Sequence, residues 1–283
     1  MTNYLVTGAT GYIGSRVVEQ LLERGERPRI FVRDVKKARD RYGDRVDVNE
    51  GNLCDETSLR SALSGTDVLF LINTGCDIPT RDAAAAKASK DSGVKLLVKL
   101  SSMDAQIGVG TGTWHAQGEA AIRASGITFT FIEPAGFMSN ALNWTPTIKS
   151  EGVVQACTGN GKIAFIHPDD IAAVTAKVLT SGGYDGWSLP LTGPQALSYG
   201  DMTATIGATI GKTLRFLEIS EDQARQQLIK NGVLVEEVEA HISLWRAVRE
   251  GRMETVTDNV ERVLGRKPIT FAQWAKENAR AFC

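Results

Sequence analysis

An α/β fold built on a doubly wound parallel sheet is what this sequence predicts, and three observations predict it. The turn Gly8-Ala9-Thr10-Gly11-Tyr12-Ile13-Gly14 joins a short apolar run to an amphipathic helical pattern. Strand-like and helix-like stretches then alternate as far as Ile132, the order that gives parallel strands with helices on both faces. Two of the strand-like runs, 67–72 and 94–100, are apolar along most of their length, as strands covered on both sides are.

Taken in order, Tyr4-Leu5-Val6-Thr7 is the first strand, and Ser15 to Leu22 carries the pattern of the first helix. Gly8 permits the tight turn between them, Gly11 lets backbone approach a phosphate, and Gly14 lets the helix pack close to the strand. Unpaired N–H groups and the positive end of the helix dipole then make the turn a pyrophosphate site, with contacts expected from Gly8, Thr10, Gly11, Tyr12, Ile13 and Gly14. The spacing is G-x-x-G-x-x-G, one residue longer at the first gap than the common dinucleotide fingerprint.

Pro28 to Arg33 reads as the second strand and 46–50 as the third, with Asp55 as N-cap of a helix through Leu63. The fourth strand covers 67–72. An alanine-rich helix runs from Arg81 to Ser92, and a fifth strand over 94–100 ends at Ser101-Ser102. Gly108, Gly110 and Gly112 mark a mobile loop before a helix over 114–125 and a sixth strand over 128–132. The predicted order is 3-2-1-4-5-6, a Rossmann-type sheet, with ligands outside the carboxyl ends of its strands near the switch between strands one and four.

Beyond Glu133 the alternation fails. Pro134 to Met138 is a loop, His167-Pro168-Asp169-Asp170 caps a helix through Leu179, 187–192 is a candidate strand, and 199–210 is a helix. Residues 214–283 read as mostly helical and polar, with Trp245, Phe271 and Trp274 as packing anchors. The expected division is a nucleotide-binding domain over 1–133, with 166–194 returning to it, and a substrate lobe over 134–165 and 195–283.

Composition narrows the function. Apolar content of 42% with 23% charged residues is that of a globular enzyme, and 32 basic side chains against 33 acidic ones imply no basic face for nucleic acid. Cys54, Cys76, Cys157 and Cys283 are scattered without a C-x-x-C, so neither a disulfide framework nor a metal site is expected. No signal-peptide pattern and no membrane-length apolar run is visible, and the expected compartment is the cytoplasm. The oligomeric state stays open.

Dinucleotide folds distinguish NAD from NADP at the end of the second strand, where a carboxylate bonds ribose hydroxyls or an arginine pairs with the 2′-phosphate. Arg33 holds that position, so NADP(H) is expected, with Lys36 or Lys37 as a second cation. Asp34, one residue later, should point the other way. Asn52 and Leu53 can flank the adenine, and Asn73 and Thr74 can meet the ribose or pyrophosphate; either pair can equally be strand-end turn residues.

Hydride transfer calls for a proton donor beside the acceptor. Short-chain reductases use a serine after the fifth strand and a Tyr-x-x-x-Lys pair on the next helix. Here Ser101-Ser102 stands at the serine position, with Ser102 as the candidate, but the helix reads His115-Ala116-Gln117-Gly118-Glu119. Four residues apart, His115 and Glu119 share a helix face, and the carboxylate there is expected to favour an imidazolium with a transferable proton. The plainer alternative is an exposed pair that supports the helix.

These residues resemble the NmrA-like branch of the atypical short-chain dehydrogenases/reductases. The resemblance rests on Thr7 to Gly14, Arg33, His115-x-x-x-Glu119, 125–130, Pro134 to Asn140, His167 to Ala172, Leu191 to Pro194 and Gly265 to Phe271. It implies a reductase of a small, aromatic or quinone-like acceptor, and nicotinamide contacts from Ala135, Gly136, Phe137 and Met138. Glu133 departs from the arginine that many relatives carry before the proline. The branch also contains non-catalytic redox sensors that bind NADP(H) and act through a protein partner, which is the alternative to a quinone, ketone or conjugated-aromatic reductase.

Overall fold

A computed structural model describes residues 2–283. The chain forms two compact units. One comprises the chain up to Gln106 with Gly112–Glu133 and Ile171–Leu189, and the other comprises Ile107–Thr111, Pro134–Asp170 and Pro190–Cys283.

The first unit is built on parallel strands. β1 (Tyr4–Thr7), β2 (Arg29–Val32), β3 (Asp47–Glu50), β4 (Val68–Leu71), β5 (Leu96–Leu100) and β6 (Phe129–Pro134) alternate with α1 (Tyr12–Glu23), α2 (Val35–Tyr42), α3 (Glu56–Leu63), α4 (Ile78–Asp91) and α5 (Gly112–Ala124). The sheet order is β3-β2-β1-β4-β5-β6, as the alternation predicts, and a seventh strand, β9 (Ser188–Leu191), lies beyond β6. β1 is the switch strand: Val6 pairs with Ile30 on one side and with Phe70 on the other. Every side chain of β1 and β4 is buried, which explains the apolar run of β4 and of β1 up to Val6. Leu5, Leu69, Leu97 and Phe131 pack with Ala85, Ala86 and Ile122 into one core. Small alanines bring α4 close to the sheet, and α7 (Pro168–Ser181) carries the chain back to β9.

The local stop and start signals act as expected at several points. Asp55 caps α3 by accepting from the Thr57 N–H at 3.0 Å. The proposed loop of Gly108, Gly110 and Gly112 is shorter than expected, because Gly112 already opens α5. A Cβ on Gly112 would lie 2.2 Å from the Asp104 carbonyl carbon, so only glycine lets α5 start against the 3-10 turn Met103–Gln106.

The second unit has a helical core with short strands. α8 (Tyr199–Ile210) begins at a capping box in which Ser198 and Asp201 satisfy each other's backbone N–H groups. It is joined by α6 (Thr145–Glu151), α9 (Glu221–Lys230), α10 (Val235–Arg249), α11 (Asn259–Leu264), α12 (Phe271–Glu277) and α13 (Ala279–Phe282). Phe271 and Trp274, expected as anchors, stack at 5.3 Å between ring centroids and are buried with Phe282 and Met202. Trp245 is partly buried, and its indole N–H donates to the Tyr199 hydroxyl.

Two small sheets in this unit have no counterpart in the sequence reading. β7 (Val153–Ala156) pairs in parallel with β11 (Arg215–Glu218), and β8 (Lys162–Ile163) pairs antiparallel with β10 (Leu197–Ser198). The stretch from residue 214 is therefore not wholly helical at its start. Among the described residues, no helix is long and apolar enough to cross a membrane.

Candidate functional site

The glycine turn of the first unit has the geometry of a backbone anion cradle. Gly8 sits at φ 62°, and its carbonyl accepts from the Gly11 N–H at 2.9 Å. Gly11 is the N-cap of α1 and offers no side chain, so the first amides of the helix are left without an internal partner. A Cβ on Gly14 would lie 2.2 Å from the Gly8 carbonyl oxygen. Only a bare Cα allows the helix to leave the turn at this angle. Thr10 is partly exposed, Tyr12 is exposed, and Ile13 is buried under the turn.

Two side chains hold the turn from below. The Ile72 N–H donates to Thr7 Oγ1 at 2.8 Å, fastening the carboxyl end of β1 to that of β4. The Tyr42 hydroxyl donates to the Ala9 carbonyl at 2.6 Å, and burial pushes its own ionisation up to about 12. Tyr42 is a support that the sequence reading missed. Its only signal was an aromatic at the end of an otherwise polar helix.

Arg33 follows β2 directly, is exposed, and makes no ion pair or hydrogen bond among the described residues. Asp34 is committed elsewhere, accepting from the Lys37 N–H at 2.9 Å as the N-cap of α2. Lys36 pairs with Asp40, which leaves Lys37 as the cation available beside Arg33. The cradle, the open helix end and the free guanidinium together fit a phosphorylated dinucleotide.

The strand-end residues are more occupied than expected. Asn52 Oδ1 accepts from the Cys54 N–H at 3.1 Å, a local turn, and Leu53 packs against the core. Thr74 is exposed. Asn73 is buried, and its Nδ2 donates to Asp82 Oδ1 at 2.6 Å.

That bond leads into a buried polar cluster. Lys99 on β5 faces Asp82 on α4, with Nζ 2.6 Å from Oδ2 and both side chains wholly enclosed. The contact is a charge pairing poorly aligned for a hydrogen bond, so neither atom gains one. A Cβ on Gly118 would meet Asp82 Oδ2 at 2.1 Å, so Gly118 makes room for that carboxylate between α4 and α5.

Around this pair stand the residues after β5 and those on α5. Burial, aided by the Lys99 ammonium, pushes His115 down to about 3. The imidazolium expected from the His115–Glu119 spacing is therefore not formed. The ring is neutral, and its Nδ1 is buried without a hydrogen-bond partner. Glu119 turns instead to Ser101, whose hydroxyl donates to Oε1 in a very short contact. Burial pushes Glu119 up to about 7 against that hydrogen bond; Glu133 adds to the rise, while Lys99 and Arg123 oppose it.

Ser102 has a different task from Ser101. Its Oγ accepts from the Asp104 N–H at 3.2 Å and so starts the turn over 103–106. Burial pushes Asp104 up to about 6. Glu133, at the end of β6, is buried, accepts from Gln106 Nε2 at 2.6 Å, and has its carboxyl raised by burial. Lys99 and Asp82 were missed in the sequence as site residues, and of the expected pair Ser101-Ser102 it is Ser101 that meets Glu119. A lysine inside the run Leu96-Leu97-Val98-Lys99-Leu100 was the available sign.

In the second unit, residues 135–138 are tied by backbone. The Ala135 N–H donates to Leu191 O, the Ile166 N–H to Gly136 O, and the Met138 N–H to Ile166 O, all at 2.8–2.9 Å. Ala135 and Met138 are buried, and Met138 belongs to the core of this unit, whereas Phe137 is partly exposed. His167 is held by local contacts: its Nδ1 accepts from the Asp169 N–H, and its Nε2 meets Glu277 at 3.1 Å. Asp170, wholly buried, pairs with Arg266 at 2.7 Å and accepts from the Ile269 N–H, joining two motifs that lie far apart in sequence.

A dinucleotide-binding protein is the class that this turn and this sheet define. The chain belongs to the NAD(P)H-binding family, whose pattern matches residues 8–182. An NmrA-like family domain-containing oxidoreductase of Aspergillus flavus is 24% identical over 94% of this chain and 91% of that one. The chain is also similar to a (4-alkanoyl-5-oxo-2,5-dihydrofuran-3-yl)methyl phosphate reductase of Streptomyces griseus, 36% identical over 98% of each chain. An NAD(P)H azoreductase of Xenophilus azovorans is 34% identical, also over 98% of each. Among solved structures, an NADPH-dependent quinone oxidoreductase of Escherichia coli complexed with NADPH matches at TM-score 0.89 and 25% identity, covering 97% of this chain and 99% of that one. The protein is an NAD(P)H-dependent oxidoreductase related to azoreductases and quinone reductases.

Proposed function

We propose that the protein is an NADPH-dependent reductase that transfers hydride to a quinone, a ketone or a conjugated aromatic acceptor. The observation that carries this reading is Arg33, an unpaired guanidinium directly after β2 in a chain whose glycine turn is open to a diphosphate. In this reading the amides at Gly11 to Gly14 hold the diphosphate, Arg33 holds the 2′-phosphate, and Lys37 adds a second positive charge. Asn52 and Leu53 border the adenine, and Asn73 and Thr74 border the ribose. With Met138 enclosed in its core, the nicotinamide contacts of 135–138 fall to the backbone of Ala135 and Gly136 and to the ring of Phe137.

The reduced nicotinamide, when bound, supplies the hydride. The chain supplies orientation, with neutral His115 and Ser102 as hydrogen-bonding groups for the acceptor. Conjugation in the acceptor is supported by two relatives. One is named for an oxo-dihydrofuran bearing an alkanoyl group, the other for azo compounds, and both names describe unsaturated centres that spread negative charge.

The test is NADPH oxidation against a panel of quinones, aryl ketones and azo compounds. Turnover of at least one is expected. Tight NADP(H) binding with no turnover of any acceptor would favour a redox sensor working through a protein partner. Arg33→Ala is expected to weaken NADPH binding about ten- to a hundredfold, the scale of one charge-assisted contact to phosphate, and to leave NADH binding nearly unchanged. Equal losses in a calorimetric titration of both nucleotides would remove Arg33 from the phosphate.

A further inference from the structure

The cluster beyond β5 contains a group that the reading above does not use. Glu119 is a partly exposed carboxyl on α5, one helical turn after His115. Its Oε1 is fixed by the Ser101 hydroxyl at the carboxyl end of β5, the end at which such sheets bind their ligands. Its Oε2 makes no hydrogen bond among the described residues. A carboxyl held by one oxygen, with the other free and within reach of solvent, is arranged to carry a proton on the free oxygen and give it away. With His115 neutral, no other side chain in the cluster meets that description. Asp104 is sealed, Glu133 is buried against Gln106, and Asp82 is committed to Lys99.

We propose that Glu119 is the general acid of the reduction, donating the proton on Oε2 to the acceptor, with Ser101 as the residue that positions it. The inference rests on the reductase reading. Reduction of a carbonyl-type acceptor consumes one hydride and one proton. As the hydride reaches carbon, the C=O π pair moves to oxygen. The Oε2–H bond breaks, a new O–H bond forms on the acceptor, and the carboxylate left behind regains its proton from water. The groups facing Glu119 are consistent with a proton held near neutrality. Enclosure and the Glu133 carboxyl from β6 favour the protonated form; the Ser101 hydroxyl and Lys99 from β5, and Arg123 from α5 itself, favour the ionised one.

Two readouts test it, one of them independent of turnover. In infrared difference spectra of the cofactor-free protein, a protonated-carboxyl band should titrate near pH 7, vanish in Glu119→Gln and shift to higher pH in Ser101→Ala, which loses a bond to the ionised form. In steady-state assays with an aryl ketone, wild-type kcat/KM should be level below about pH 7 and fall above it. Glu119→Gln should lose that limb and about 10²–10⁴-fold in rate, the usual worth of a positioned acid. NADPH affinity, measured by calorimetry, should stay within a few-fold of wild type. A wild-type pH profile in Glu119→Gln, or no titrating band and no shift in Ser101→Ala, would overturn the proposal. A titrating carboxyl in a wild-type protein that reduces no acceptor would overturn the reductase reading instead.

Discussion

Asp82→Ala is expected to lower unfolding free energy by about 3–5 kcal/mol, the cost of leaving one member of a buried ion pair unmatched. Lys99 would keep its charge in a pocket with no exposure, without the carboxylate that pairs with it. The Asn73 amide would lose its acceptor at the same time. Much of the loss should therefore return when the charge is removed as well. Replacing the pair with apolar side chains of similar volume is often neutral or stabilising, so Asp82→Leu combined with Lys99→Met should recover most of it. Denaturant unfolding of the single and double variants measures this directly. If the single variant lost less than about 1 kcal/mol, the pair would have to be hydrated, contrary to its enclosure.

The second large effect falls on the nucleotide. In Gly14→Ala the new methyl would stand 2.2 Å from the Gly8 carbonyl oxygen and 2.7 Å from its carbon, both backbone atoms. Rotamer changes cannot relieve such a clash; the turn or the first turn of α1 has to move. Losing the aim of two amides toward a diphosphate removes about 3–6 kcal/mol of charge-assisted bonding, or at least about 100-fold in NADPH affinity. Equilibrium binding by fluorescence or calorimetry would show it, and an affinity within threefold of wild type would mean that the diphosphate does not rest on this turn. Stability should fall too, by about 1–3 kcal/mol, as in other overpacked positions.

What could be read from the chain follows the range of the forces involved. The glycine turn, the Asp55 cap and the alternation through β6 depend on neighbours within a few residues, so each left its own mark in the sequence. Arg33 could be singled out as a candidate because the fold assigns one position to ribose reading. The pair of Lys99 with Asp82 was not, since it joins a strand and a helix whose packing is settled only when the sheet forms. The same tertiary cause reversed the assignment for His115. Spacing alone placed a carboxylate beside it, but burial and an ammonium from β5 decide its charge, and that carboxyl bonds Ser101 instead. β7 and β11 escaped for a related reason: two four-residue strands, about 60 positions apart, specify each other only by pairing.

The seventh strand has a practical consequence for anyone wishing to dissect the molecule. β9 comes from residues 188–191, long after the chain has left the sheet at Pro134. A fragment truncated there would carry the phosphate cradle but expose the peptide groups of β6 along a bare rim, inviting strand addition from other copies. A portable cofactor module would have to keep α7 and β9, joined to β6 by a new short link in place of the intervening segment.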